Sequence, residues 1–128
     1  YNFDFRLWNF TSNPPSNQDP RLEKNYAEYL KGFCYDPENT KTTLPMDPGS
    51  HRSFDSHYYV NLKKHKALFY SDSQLLSNGT KFARETVDEL LDTVKFLQEF
   101  AVSMQRLNAI DVKTGSDGGI RKRCCFVN

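Results

Sequence analysis

The chain has 128 residues, enough for one domain and too few for two ordinary ones. Its 17 basic and 16 acidic side chains nearly cancel, so neither a nucleic-acid partner nor a strongly charged protein partner is indicated. No apolar run approaches the length of about 18 residues typical of a membrane span, so none is predicted.

The N-terminal stretch Tyr1-Asn2-Phe3-Asp4 has no basic start, no apolar segment and no initiator methionine. These features predict a mature product or a piece of a longer polypeptide. Prolines 14, 15 and 20 predict irregular structure over residues 1–20. Sequons begin at Asn9 and Asn78 and would suit glycosylation on a secretory route.

A helix is predicted to open at Asp19-Pro20, because proline suits the first turn. Apolar residues then recur at helical spacing, at Leu22, Tyr26, Tyr29, Leu30 and Phe33. Residues 35–56 are predicted to form a loop, which is long for a compact domain and therefore typical of a functional or disordered segment.

The second half of the chain is predicted to be mainly helical. A short helix is predicted over residues 57–64, and Ser71 or Asp72 is a candidate N-cap of another that ends at Asn78-Gly79. Apolar residues follow one helical face over residues 83–107, and Asp92 or Thr93 could cap a break within that run. Residues 114–128 are predicted to be a loop, and no β-alternation of any length is visible.

The three cysteines are an odd number, so at least one thiol lacks an internal partner. Cys124 and Cys125 are adjacent, which strains disulfide geometry. Two interpretations remain open at this point. The protein is either a reduced intracellular one with three buried thiols, or one whose cysteine partners lie outside this chain.

The histidines do not predict a zinc site. His51, His57 and His65 lack the i, i+4 spacing, and zinc requires three or four clustered ligands. Packing or surface roles are the better interpretation.

The loop before residue 57 is a candidate calcium site. Asp47, Ser50, Ser53 and Asp55 place two carboxylates and two hydroxyls within nine residues, and calcium prefers oxygen ligands. The spacing is not that of an EF-hand, so an ordinary turn with capping side chains is the alternative. Asp72 likewise has two interpretations, an N-cap or a carboxylate that holds the second ring nitrogen of a metal-ligating histidine.

Several stretches together resemble the C-terminal half of a plant secretory (class III) haem peroxidase. They are, in chain order, Arg6-Leu7-Trp8-Asn9-Phe10; Asp19-Pro20 with Tyr26-Ala27, Leu30 and Cys34; Leu44 and Asp47; Phe54-Asp55-Ser56-His57-Tyr58-Tyr59 with Asn61-Leu62; Leu68 through Ser71-Asp72; and Thr114-Gly115 with Gly118, Ile120-Arg121, Cys124 and Val127-Asn128. The patterns F-D-x-x-Y-Y-x-N-L and T-G-x-x-G-x-I-R are specific in combination, and the resemblance spans essentially the whole chain.

This resemblance implies an all-α fold, the C-terminal helical half of the haem peroxidase fold with long loops, and one partial domain over residues 1–128. It implies part of a calcium site, made by Asp47, Ser50 (where the family usually has Thr), the backbone carbonyl of Ser53, and Asp55, with further calcium ligands beside the haem-ligating histidine upstream of Tyr1. Asp72 would accept a hydrogen bond from the haem-ligating histidine, which raises the ligand's basicity, and Met46 would pack beside that histidine.

The resemblance also implies that other parts of the family's site lie upstream. The haem-ligating histidine and a cysteine would immediately precede Tyr1, and the distal histidine and arginine would lie further upstream. Upstream cysteines would be the disulfide partners of Cys34 and Cys124. The chain departs from the family at Ser56 (usually Asn), at Ala67 (usually Gly) and at Cys125, which is an extra thiol.

Two functions of different class are therefore expected. The first is a haem peroxidase with haem b and calcium, which reduces hydrogen peroxide and oxidises phenolic donors. It would be a secreted monomer, extracellular or vacuolar, with no nucleic-acid or membrane partner, and this chain by itself would be inactive. The alternative is a truncated, non-catalytic secreted glycoprotein or interaction module, whose exposed core face would bind a partner.

Overall fold

A computed structural model of the chain describes residues 3–10, 18–34, 43–77 and 79–127. No strand occurs among these residues, and the all-α prediction is confirmed. The helices are α1 (Phe5–Trp8), α2 (Lys24–Phe33), α3 (His57–Lys63), α4 (Tyr70–Ser77), α5 (Lys81–Glu89) and α6 (Thr93–Asn108), followed by a 3-10 turn at Gly115–Asp117.

The chain divides into two compact units, residues 1–97 and residues 98–128. In the first unit, α1 packs on α2, α3 on α4, and α4 on α5. One buried cluster joins the first two helices to the segment before α4, and it contains Phe3, Leu7, Leu22, Tyr26, Ala27, Leu30, Cys34 and Leu68. A second, smaller cluster contains Leu62, Ala67 and Val87 and is flanked by Tyr58, Tyr59 and Leu76. Each fully buried aliphatic side chain stabilises the fold by roughly 1.5–3 kcal/mol.

The helix predicted to open at Asp19-Pro20 begins later, at Lys24. Glu23 caps it, because its carboxylate accepts hydrogen bonds from the backbone N–H groups of Asn25 (2.8 Å) and Tyr26 (2.7 Å). Asp19 is instead fully buried in an ion pair with Arg6. The prediction of the start was wrong because the proline signal permits a helix start, whereas the cap and the ion pair determine where the helix begins.

Helix α1 lies inside the segment that was predicted to be irregular. Asp4 caps its first N–H at 2.8 Å, and the single turn buries Arg6 and Leu7. Arg6 Nε donates to Asp19 Oδ2 (2.9 Å), and its Nη1 donates to the carbonyls of Ala67 (2.6 Å) and Leu68 (2.9 Å). One short turn is therefore fixed by contacts that reach residues more than sixty positions away.

Helix α3 matches its prediction to within one residue, but α4 does not begin as predicted. It starts at Tyr70, so neither Ser71 nor Asp72 is its N-cap residue. Asp72 lies in the first turn and accepts the backbone N–H of Phe69 at 3.2 Å. The predicted helix end at Asn78-Gly79 agrees with the last helical residue, Ser77, although Asn78 is outside the described residues.

The predicted break in the long periodic run is confirmed. Helix α5 ends at Glu89 and α6 begins at Thr93. Asp92 Oδ1 accepts the N–H groups of Val94 (2.8 Å) and Lys95 (3.0 Å), which identifies it as the cap. The start of α6 is held to α3 by Phe96, whose ring lies 5.7 Å from that of Tyr59.

The second unit carries the end of α6 and the predicted loop, and of the loop residues that the structure describes, 114–127, only the turn at Gly115–Asp117 is helical. Cys124 and Cys125 are exposed there, so the interpretation with three buried thiols is wrong; only Cys34 is buried. No described helix combines the length and the hydropathy that a membrane crossing requires.

Candidate functional site

Three of the four residues predicted to bind calcium, Asp47, Ser50 and Ser53, lie on two successive turns of the loop before α3, and the fourth, Asp55, follows these turns. Ser50 N donates to the carbonyl of Asp47 (3.3 Å), and Ser53 N donates to the carbonyl of Ser50 (3.0 Å). Ser50 Oγ also donates to Asp55 Oδ2 at 2.6 Å. Three hydrogen bonds therefore link all four residues: two between backbone groups and one between the side chains of Ser50 and Asp55.

Asp55 is held as an ionised carboxylate. Its Oδ2 accepts the Ser50 hydroxyl, and its Oδ1 accepts the backbone N–H of His57 at 2.9 Å. These two hydrogen bonds, the first being the stronger influence, hold the pKa of Asp55 below its ordinary range. The carboxylate is therefore charged at neutral pH and available to a cation.

Asp47 has two side-chain partners that sequence reasoning missed. Its Oδ1 lies 2.6 Å from His57 Nδ1 and 2.6 Å from Asn61 Nδ2. Asn61 Nδ2 also donates to the carbonyl of Pro48 at 3.1 Å. A signal for this contact was present in the sequence, since His57 and Asn61 are four residues apart and share one face of the predicted helix.

The loop offers the ligand types that calcium prefers, namely two carboxylates, a hydroxyl and a carbonyl. Among the described residues, no group of three or more His, Cys, Asp and Glu side chains lies close enough to hold a metal. The donors present are thus oxygens of mixed type, which fit a hard cation better than zinc.

Asp72 is half-buried and accepts two hydrogen bonds in the described structure. Tyr58 donates its hydroxyl proton to Oδ1 at 2.8 Å, and Phe69 N donates to Oδ2 at 3.2 Å. Burial, followed by hydrogen bonding to the Asp72 carboxylate and its negative charge, raises the pKa of Tyr58. Tyr58 was not predicted to contact Asp72, since helical spacing on one element does not reveal which residue of the next helix it meets.

Met46 lies on the wall of an open depression of about 600 Å³. Its side chain is 39% exposed, and the described residues that line the depression include Leu44, Pro45, Asp47, Ser50 and Ser53. Asp72 is not among them. The depression therefore joins Met46 to the predicted calcium loop, while Asp72 belongs to the contact between α3 and α4.

The remaining predicted sites are spread over the chain. Cys34 ends α2 and is buried, and burial raises the pKa of its thiol. Cys124 is exposed in the second unit. Asn9 directly follows α1 and is exposed, as glycosylation requires, whereas Asn78 lies outside the described residues.

Comparison with known proteins shows the family. Residues 1–93 match the model of the peroxidase family, so the chain belongs to that family. It is 39% identical to "Peroxidase 1" of Oryza sativa subsp. japonica over 100% of its length, and 40% identical to "Peroxidase 3" of Arabidopsis thaliana over 98%. It is also 41% identical to "Peroxidase 39" of Arabidopsis thaliana over 98% of its length.

These matches confirm the resemblance to plant class III peroxidases inferred from the motifs. The chain covers 40% of the rice relative and 38% of each Arabidopsis relative, so it spans about two fifths of their length.

Proposed function

We propose that the chain is the C-terminal part of a haem peroxidase that reduces hydrogen peroxide and oxidises small phenolic donors. The observation that carries this proposal is identity of about 40% over nearly the whole chain to plant proteins named as peroxidases. The described helices and loops would then supply the side of the haem that carries the iron-ligating histidine.

Asp72 would hold the haem-ligating histidine. A carboxylate has about four acceptor positions, and Tyr58 and Phe69 occupy one on each oxygen, so acceptor capacity remains for an imidazole N–H. An imidazole that donates to a carboxylate becomes a more basic ligand and keeps a fixed orientation. Haem b, when bound, supplies the redox chemistry, and the protein supplies ligation, orientation and access. Met46 would pack beside the same histidine.

Calcium would be held by Asp47, Ser50, the carbonyl of Ser53 and Asp55, together with further ligands beside the haem-ligating histidine outside this chain. The short bonds within the loop already gather these groups, and Asp55 is ionised. A bound cation would replace the hydroxyl proton of Ser50 as the partner of Asp55, because calcium takes six to eight oxygens and two carboxylates favour it electrostatically.

The setting we propose is a secreted monomer, extracellular or vacuolar, with no nucleic-acid or membrane partner. Exposure of Asn9 supports its glycosylation. Cys34 and Cys124 would form disulfides with cysteines of a segment outside this chain. The resemblance assigns none of His51, His57 and His65 as the haem ligand, so the 128-residue chain alone would be inactive.

Fragment restoration tests the enzyme proposal. The unmatched part of the rice relative would be joined ahead of Tyr1, and the Soret band and guaiacol oxidation by peroxide would be recorded. We expect a haem spectrum and turnover in this chimaera, and neither in the chain mixed with haemin. A folded, haem-loaded chimaera without turnover of any phenolic donor would contradict the proposal, and turnover by the chain alone would contradict the upstream position of the ligand.

Two substitutions in the chimaera test the site residues. Asp72→Asn should leave the protein folded and slow turnover by roughly 10–100-fold, the usual range for groups that support a metal ligand. Asp55→Ala should lower the calcium content found by metal analysis, whereas Asp117→Ala, in an exposed part of the second unit, should not. Unchanged turnover or equal calcium content would remove the respective residue from its role.

The alternative function is that of a non-catalytic module. Several large apolar side chains are exposed, including Phe54 (59%) and Phe82 (77%), and such surfaces often bind a partner. In that case the chimaera would gain no Soret band, while the isolated chain would show normal helical circular dichroism.

A further inference from the structure

We propose that the imidazole of His57 is a positioning residue of the calcium loop, which sets the affinity for the cation by holding the Asp47 carboxylate. This inference rests on the proposed calcium site. It adds to that site His57, which occupies one of the positions that the F-D-x-x-Y-Y-x-N-L pattern leaves open.

His57 connects the two carboxylates of the loop. Its backbone N–H donates to Asp55 Oδ1 at 2.9 Å, and its ring Nδ1 lies 2.6 Å from Asp47 Oδ1. Because His57 is also the first residue of α3, the helix start fixes the spacing between the two acidic side chains. Among the described residues that donate to these two carboxylates, Ser50 contacts only Asp55 and Asn61 contacts only Asp47, whereas His57 contacts both.

The hydrogen bonds around Asp47 determine which ring nitrogen carries the proton. A contact of 2.6 Å between Nδ1 and an ionised carboxylate oxygen requires a hydrogen between them, and the carboxylate has none to give. Asn61 Nδ2 donates to Asp47 Oδ1 and lies 3.1 Å from the Pro48 carbonyl, which identifies it as the amide nitrogen. Its separation of 3.3 Å from Nδ1 is then no hydrogen bond, because both nitrogens carry protons.

The ring is held in place by the loop itself. Gly49 has φ +103°, and a Cβ at that position would lie 3.1 Å from His57 Cε1. The imidazole therefore packs directly against the Gly49 backbone, where only glycine combines this conformation with such a close approach. The imidazole is therefore held between the first residue of α3, to whose backbone it is attached, and the backbone of Gly49.

This arrangement leaves one oxygen of Asp47 for a cation. Oδ1 accepts from both His57 and Asn61, whereas Oδ2 has no hydrogen-bond partner among the described residues. A carboxylate whose rotation is restricted loses less entropy on binding a metal, and removal of such supporting hydrogen bonds lowers metal affinity by roughly 10–100-fold. Loss of the His57 ring donor should therefore weaken calcium binding, although all the proposed calcium ligands remain present.

Calcium titration of the chimaera described above by calorimetry, after removal of its calcium with a chelator and at constant pH, tests this inference. We expect His57→Phe to weaken binding by roughly 10–100-fold, because it keeps a ring and removes the donor. His57→Asn should stay within about threefold of the parent, since its amide nitrogen lies near the position of Nδ1. His51→Phe, in an exposed part of the same loop, is the matched control and should not change affinity.

The outcomes separate this inference from the calcium site on which it rests. Calcium binding by the parent with equal or tighter binding by His57→Phe would overturn the positioning role and leave the site standing. No binding by the parent would overturn both. If His57→Phe does not fold, His57→Asn and His57→Gln are compared instead, because Gln places its amide nitrogen near the position of Nε2 and Asn near that of Nδ1. Equal calcium affinity of these two variants would reject a role for the Nδ1 donor.

Discussion

Replacement of the buried Arg6 by Met should be among the most destabilising single changes in the chain. Arg6 and Asp19 are each fully buried, and Arg6 donates three hydrogen bonds of 2.6–2.9 Å, one to Asp19 and two to backbone carbonyls. Each such charged hydrogen bond contributes about 1.5–3 kcal/mol, but a buried guanidinium also costs several kcal/mol of desolvation. Removal of one partner from a buried pair typically costs about 3–5 kcal/mol, because the other charge stays behind.

Urea unfolding followed by circular dichroism measures this effect. With a slope of about 1.5 kcal/mol per molar urea, the loss corresponds to a midpoint about 2–3 M lower. Arg52→Met, at an exposed position, is the control and should shift the midpoint very little. If the free energy of unfolding of Arg6→Met lies within about 1 kcal/mol of the parent value at an unchanged urea slope, the reasoning is refuted. The buried ion pair would then contribute no more than an ion pair on the protein surface.

Three further predictions concern single carboxylates. Burial raises the pKa of Asp19, but hydrogen bonds from Arg21 and Arg6 outweigh it and hold the pKa below the ordinary 3.8. The ionised carboxylate therefore stabilises the fold above pH 3.8, and this stabilisation is lost as the pH falls through the pKa of the folded state. In Asp19→Asn, the urea midpoint should consequently fall less steeply as the pH is lowered. An equally steep fall in the variant would contradict this role of Asp19. Asp92→Ala should lower the free energy of unfolding by about 1 kcal/mol, because two N–H groups at the start of α6 lose their cap. The urea midpoint should fall accordingly, and an unchanged midpoint would show that Asp92 does not stabilise the helix start. Asp72→Asn should lower the pKa of Tyr58, measured by NMR of labelled tyrosine, and leave that of Tyr59 unchanged; an unaltered Tyr58 titration would contradict the hydrogen bond between them.

Much of the helical architecture could be predicted because it depends on local spacing. The apolar rhythm of residues 83–107 predicted a long helical region, and Asp92 predicted its break, because a cap needs only its own N–H neighbours. The start of α2 was misplaced and α1 was missed. Both depend on Asp19 and Arg6, whose partners are distant along the chain.

In the candidate site, too, the sequence predicted which residues share the loop, whereas their contacts with other elements were not predictable. The motifs placed Asp47, Ser50 and Asp55 in one loop, and the structure adds that Ser50 contacts Asp55 directly. His57 was assigned a packing or surface role, since its spacing from the other histidines excluded zinc. Its contact with Asp47 follows from the way the loop folds back onto the start of α3, which no spacing rule describes.

The sequence by itself determined the helical class, the family and the identity of the acidic residues in the loop, because amphipathic periodicity and motif spacing are properties of neighbouring residues. The tertiary structure alone decided which partners those residues take. Arg6 meets the carbonyls of Ala67 and Leu68, and Tyr58 meets Asp72, because packed helices bring distant positions within hydrogen-bond distance and burial makes each unpaired polar group costly.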